Sequence, residues 1–211
     1  MLPTATTPAV VRPMVMIDPA HGGTESGAVL NPTLFEKDVN LAFARSLRQD
    51  LTAHGIVAEL TRDSDTNLST DDRAAKSNAL RPLLYVCLHA SSLIGSTKLF
   101  TGIVLQTGEE NTAPFLAWNT AQAQALATSM AVEQQMVPPF GKAGLFVRAL
   151  AVPMRPLNNV VTAAIAIELA PRTSDVSQLM SPRFQQPISA AIANGIAASL
   201  PLLTRTSAET P

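Results

Sequence analysis

Cysteine is nearly missing from this chain. Cys87 is the only one in 211 residues, so no disulfide forms within the chain and the redox compartment stays open. Aromatic side chains make up 4%, too few for a broad platform that stacks bases or sugars. Neither sign of charge dominates: the net charge is −1, which gives no electrostatic case for nucleic acid or for an anionic membrane surface. No run reads as long and apolar enough to span a bilayer. What is present is a globular composition, with 46% hydrophobic and 15% charged residues. A chain of this length suits one domain with a sizeable core, expected to act as a monomer.

The start, Met1-Leu2-Pro3-Thr4-Ala5-Thr6-Thr7-Pro8, has neither the charged nor the apolar region of a signal peptide. Two readings follow: a cytoplasmic protein, or one whose export signal or larger upstream region has been removed. Thr/Pro-rich sequence directly after Met1 reads as a linker given a start codon, so the second is expected. Residues 1–12 read as a flexible linker, 13–203 as one folded domain and 204–211 as a flexible polar tail.

Within the domain, strand-like and helix-like segments alternate. Strands are expected at 14–18, 56–61, 83–88, 102–107 and 163–167, and helices at about 38–54, 70–80, 114–135 and 182–200. Val39, Leu41, Ala42, Leu47 and Leu51 give the first helix an apolar face, and His54-Gly55 its C-cap. Ser69 or Thr70 caps the second. Pro138-Pro139 should end the long third helix, and 144–160 reads as irregular and Pro-broken. This alternation predicts an α/β fold: a three-layer sandwich whose mainly parallel or mixed central sheet is flanked by helices.

The chemistry-bearing residues stand at strand ends. The apolar run Leu83-Leu84-Tyr85-Val86-Cys87-Leu88 ends on His89, and Met14-Val15-Met16-Ile17-Asp18 leads into Pro19-Ala20-His21-Gly22-Gly23. Glu36 lies between the two histidines in sequence, and Ala163-Ala164-Ile165-Ala166-Ile167 ends on Glu168. Strand ends on one edge of an α/β sheet are where such folds place their sites. Two histidines and a carboxylate, His21, Glu36 and His89, make an open zinc site of the catalytic kind, and Glu168 beside it is the candidate general base.

Each residue also has a plain reading. A histidine after a strand is commonly just polar loop sequence, Glu36 could be a solvated acid that favours a helix dipole, and Gly22-Gly23 could be a simple turn or a phosphate cradle. Glu168 is harder to dismiss, because an acid directly after five apolar residues is at least partly buried and needs a partner. Asp18 reads as orienting His21 or its loop, and Cys87 as a small buried apolar residue.

Jointly these segments resemble the zinc-dependent N-acetylmuramoyl-L-alanine amidases, including the cell-division type. The family's Asp-Pro-Gly-His-Gly-Gly stands here as Asp18-Pro19-Ala20-His21-Gly22-Gly23, and its Glu-Lys-Asp as Glu36-Lys37-Asp38. Leu60-Thr61-Arg62-Asp63-Ser64-Asp65 matches the Leu-Thr-Arg-x-x-Asp turn, and Arg73 and Asn78 match an Arg and an Asn on the next helix. Cys87-Leu88-His89-Ala90-Ser91 stands for Ser-x-His-Ala-Asn, and Ile167-Glu168-Leu169-Ala170-Pro171 for Val-Glu-x-Gly-Phe. The resemblance runs over about residues 14–200. It implies zinc held by His21, Glu36 and His89, a catalytic Glu168, and cleavage of the amide between N-acetylmuramic acid and L-alanine in peptidoglycan or muropeptides, outside the cytoplasm in the periplasm or extracellularly. The departures are Ala20, which matters if that position needs φ > 0, Ser91, and Ala170-Pro171. The alternative is a relative that binds cell-wall peptides with little turnover.

Some members of the resembled family carry an inserted helix that blocks the zinc until a partner displaces it. Here the stretch before Glu168 is largely used by the third helix, with Leu116, Ala123, Leu126, Ala127, Met130 and Val137 expected on its apolar face. Residues 138–160 hold four prolines and no Asp or Glu. An open groove is therefore expected, with Glu109 and Glu110 as the nearby acids that could block it instead.

Overall fold

The computed structural model describes residues 12–103 and 118–209. In chain order the elements are β1 (Met14–Pro19), β2 (Val29–Asn31), β3 (Leu34–Phe35), α1 (Glu36–Ala53), β4 (Val57–Leu60), α2 (Thr70–Leu80), β5 (Leu84–Ala90) and β6 (Thr97–Gly102). There follow a 3-10 helix at Trp118–Gln124, α3 (Leu126–Lys142), β7 (Val147–Val152), a 3-10 helix at Leu157–Asn159, β8 (Ala163–Leu169), a 3-10 helix at Val176–Met180 and α4 (Pro182–Glu209). The main sheet has six strands in the order β4-β1-β5-β8-β6-β7. Strands β4, β1, β5 and β8 run parallel, β6 pairs antiparallel with β8, and β7 runs parallel to β6. The sheet is thus mixed and flanked by helices, as the alternation of segments implied.

The central strands are near-continuous apolar runs because both faces of the sheet are covered. On one face Val15, Ile17, Val86, Leu88, Ile165 and Ile167 pack with side chains of α1, α3 and α4. On the other, Met16, Tyr85, Cys87, Phe100, Ala164 and Ala166 form a smaller cluster with Ala74 of α2 and with Leu157 and Val160. On α1 the buried side is Val39, Phe43, Ala44, Leu47 and Leu51, with Leu41 and Ala42 half-buried beside it. His54 is its C-cap, and Gly55 follows with φ +74°. Ser69 caps α2, its hydroxyl accepting from Asp72 N at 3.1 Å.

Four differences from the sequence reading have physical causes. Pro138 and Pro139 lie inside α3 and do not end it. A proline inside a helix costs about 3 kcal/mol, and burial of Val132, Met136 and Phe140 around the pair offsets that cost. The buried side of α3 is Ser129, Val132, Glu133, Met136 and Phe140, whereas Met130 and Val137 are exposed. Two polar residues on the true buried side disguised its spacing. The stretch 147–152 is a strand: β7 lies at the sheet edge with mostly exposed side chains, so no alternation betrays it. The strand expected at 102–107 begins earlier, at Thr97, and residues 104–107 lie outside the described residues, as do Glu109, Glu110 and Leu116.

Helix α4 continues through Pro201 to Glu209. By length and composition its Pro182–Arg205 stretch could cross a membrane, and half of it is buried inside the domain. Gly195 lets α4 approach α3 closely, since a Cβ there would meet Met136 Cα at 2.9 Å.

Candidate metal centre

Three side chains converge at the edge of the sheet formed by the carboxyl ends of β1 and β5. His21 lies in the loop after β1, His89 in the last turn of the pleat of β5, and Glu36 at the first position of α1. One ligand atom from each lies within 4.8 Å of the others. His21 Nε2 is 3.2 Å from Glu36 Oε2, and His89 Nδ1 is 2.8 Å from Glu36 Oε1. The two imidazole rings meet edge-on, with centroids 5.4 Å apart. Tetrahedral zinc with ligands at about 2.0–2.2 Å needs donors roughly 3.3 Å apart; two histidines and a carboxylate suit zinc in chemistry, and both histidine–Glu36 spacings lie near that value.

The rest of each side chain is held from behind. Glu25 binds Nδ1 of His21, which turns Nε2 toward Glu36. His89 Nε2 lies 3.5 Å from Cys87 Sγ, leaving Nδ1 to face Glu36. Glu36 accepts backbone N–H groups from Ala28 at 2.9 Å and Ala90 at 3.2 Å. Burial alone would raise its pKa, but the hydrogen bonds from His21, His89 and Ala28 outweigh it and keep the carboxyl well below its usual range. For His21, burial lowers the pKa, yet the hydrogen bonds to Glu36 and Glu25 prevail and raise it. Cys87 is fully buried, and burial together with the Asp18 charge pushes its thiol up, so it stays a neutral packing residue.

The loop that carries His21 is strained and clamped. His21 has φ +64°, a conformation that costs a non-glycine residue about 1–3 kcal/mol. Ala20 is not among the positive-φ residues, so the loss of a glycine there adds no strain of that kind. Two buried arginines hold the loop. Arg73 donates to Pro19 O at 3.0 Å and His21 O at 2.8 Å; Arg62 donates to Pro19 O at 2.9 Å and Ala20 O at 3.2 Å. Asp18, fully buried, pairs with Arg73 and accepts from the hydroxyls of Thr61 and Tyr85. Asp18 therefore orients the loop through Arg73, without touching His21. Asp65 accepts from Gly23 N and from Lys37 Nζ, each at 2.7 Å.

Glu168 sits in register with His89 on the next strand, and Lys98 of β6 pairs with it from the other side, Nζ to Oε1 at 2.6 Å. Glu168 is not part of the cluster of candidate ligands. Sequence reasoning missed Lys98 and Glu25. Alternation in Thr97-Lys98-Leu99-Phe100 would have put Lys98 on the face of Phe100, had the strand been placed there. The i,i+4 spacing of His21 and Glu25 was the available hint for Glu25.

The family model described as N-acetylmuramoyl-L-alanine amidase matches residues 15–198. The chain belongs to that family. Among curated amidases, AmiC of Neisseria meningitidis serogroup B is 35% identical over 94 residues, 44% of this chain and 23% of that protein. AmiA of Escherichia coli K12 is 39% identical over 77 residues, 36% of this chain and 27% of that protein. The matched segments thus span about a quarter of those relatives' lengths. The catalytic domain of the amidase CwlV from Bacillus (Paenibacillus) polymyxa var. colistinus shares the fold, with a TM-score of 0.70 at 24% identity over 90% of this chain and 98% of that one. This chain therefore shares the fold of that catalytic domain.

Proposed function

We propose that this amidase domain hydrolyses the amide between N-acetylmuramic acid and L-alanine in peptidoglycan or muropeptides, with zinc held by His21, Glu36 and His89. The observation that carries the reading is the convergence of these three side chains beside Glu168 in a chain of this family. Zinc bound there would supply an activated water and polarise the scissile carbonyl. Glu36, His21 and His89 bring one donor atom each within 4.8 Å of the others. Glu168 takes the proton of the attacking water and returns it to the leaving amine nitrogen of L-alanine. The substrate places the protein where peptidoglycan is, in the periplasm or outside the cell. Between β6 and β8 the described residues hold two 3-10 helices, α3 and β7; α3 packs on the sheet, and this use of the stretch is what supports the reading of an open groove and activity without a partner protein.

Digestion of muropeptides by the purified protein alone, combined with metal analysis, tests this. Glu168→Gln should retain zinc and lose at least about 10²-fold in turnover, the low end for general acid–base catalysis. Zinc loss in that variant, near-normal turnover, or a wild-type protein that needs an added partner would each overturn part of the assignment.

A further inference from the structure

We propose that Lys98 is a positioning residue for Glu168, fixing its carboxylate for proton transfer. This rests on the proposed role of Glu168. Three strands set up the arrangement: His89 on β5, Glu168 on β8 and Lys98 on β6 are register partners in one row across the sheet. The reversal of β6 relative to β8 is what carries Lys98 into that row. Its ammonium lies 2.6 Å from Glu168 Oε1, with both side chains about a quarter exposed (26% and 22%). The contact is therefore partly shielded and still partly open to solvent.

The chemistry assigns the two groups different tasks. A lysine ammonium has three donors and no acceptor, so Lys98 cannot take the water's proton while charged. In the reaction the water oxygen bonds to the carbonyl carbon, the C–N bond breaks, and the water proton passes through Glu168 to the nitrogen. Lys98 exchanges no proton. It holds one carboxylate oxygen in place before the transfer.

The test compares Lys98→Met, Lys98→Arg, Glu168→Gln and the Lys98→Met/Glu168→Gln double variant, all zinc-loaded. Lys98→Met should lower kcat by at least about tenfold with KM within about twofold, because misplacing a reacting group is costly even when binding is intact. Lys98→Arg should recover most of the loss. Zinc content and melting temperature should match the wild type, and a crystal structure of Lys98→Met should show the Glu168 carboxylate moved. In the Glu168→Gln background, Lys98→Met should add less than about twofold, the signature of two residues acting as one unit. Wild-type kcat in Lys98→Met with Glu168→Gln inactive would overturn the Lys98 assignment alone. A raised KM at unchanged kcat would also overturn it, making Lys98 a substrate contact. Near-normal activity of Glu168→Gln would instead sink the reading of Glu168 on which it rests.

Discussion

His89 and Glu168 are direct register partners on the adjacent parallel strands β5 and β8, one on the metal-ligand cluster and the other outside it. The proposed ligand and the proposed base thus come from the same sheet edge yet have different supports. His89 is oriented by Glu36 and Cys87, Glu168 by Lys98. His21 is oriented by Glu25. Replacing Glu25 with Ala should cost roughly 10–100-fold in zinc affinity, the usual effect of losing a ligand's outer partner, and His89→Ala should cost more. Chelator-buffered zinc titrations check both. Equal losses in the two variants would mean that Glu25 is itself a ligand.

Gly27 lies against the site itself. A Cβ there would stand 2.6 Å from His21 Cδ2 and 2.7 Å from Glu36 Oε2, at a backbone φ of +66°. Gly27→Ala should therefore push two candidate ligands apart and abolish tight zinc binding while the rest of the domain folds. Circular dichroism and metal analysis of the purified variant decide this. A variant that binds zinc normally would show that the loop relaxes around the methyl group.

Arg73 is both a core residue and a loop clamp. Its side chain is 4% exposed, and that of its partner Asp18 is fully buried. Arg73→Met leaves a buried carboxylate unpaired, which typically costs about 3–5 kcal/mol. It also removes the Arg73 donor from the His21 carbonyl and one of the two arginine donors from Pro19 O, so zinc affinity should fall with stability. Urea denaturation of metal-free protein should show the loss directly, and a change below about 1 kcal/mol would contradict the pairing.

Protons and zinc compete for His21. Its pKa is raised because the hydrogen bonds to Glu36 and Glu25 outweigh the opposing effect of burial. In metal-free protein this contributes stability that is full below the ordinary imidazole value of about 6.5 and is lost as pH rises through the raised value. Zinc needs the neutral ring, so its apparent affinity should still be climbing above about pH 6.5. Competition titrations between about pH 6 and 8 report this, and an affinity already level at about pH 6.5 would contradict the shift.

Much of the fold was legible because burial leaves a direct trace in composition. Strands β1, β5 and β8 are covered on both faces and read as unbroken apolar runs; the acid or histidine at each end therefore stood out. Helices α1 and α2 carry caps and spacing that any chain must use to begin and end a helix. Edge strand β7 left no such trace, since its side chains face solvent. Nor did the buried side of α3, where Ser129 and Glu133 interrupt the apolar pattern.

At the site, the residue types and their order can be read along the chain: His21, Glu36, His89 and Glu168, each tied to the start or end of an element. Tertiary structure decided which atoms face one another. The left-handed backbone at His21, its clamp by Arg62 and Arg73, and the Lys98–Glu168 pair join residues from separate elements. A hydrogen bond or ion pair acts over a few ångströms, and chain separation carries no information about which partners will meet at that range. The reversal of β6 is the clearest case: only the folded sheet places Lys98 opposite the acid that ends β8.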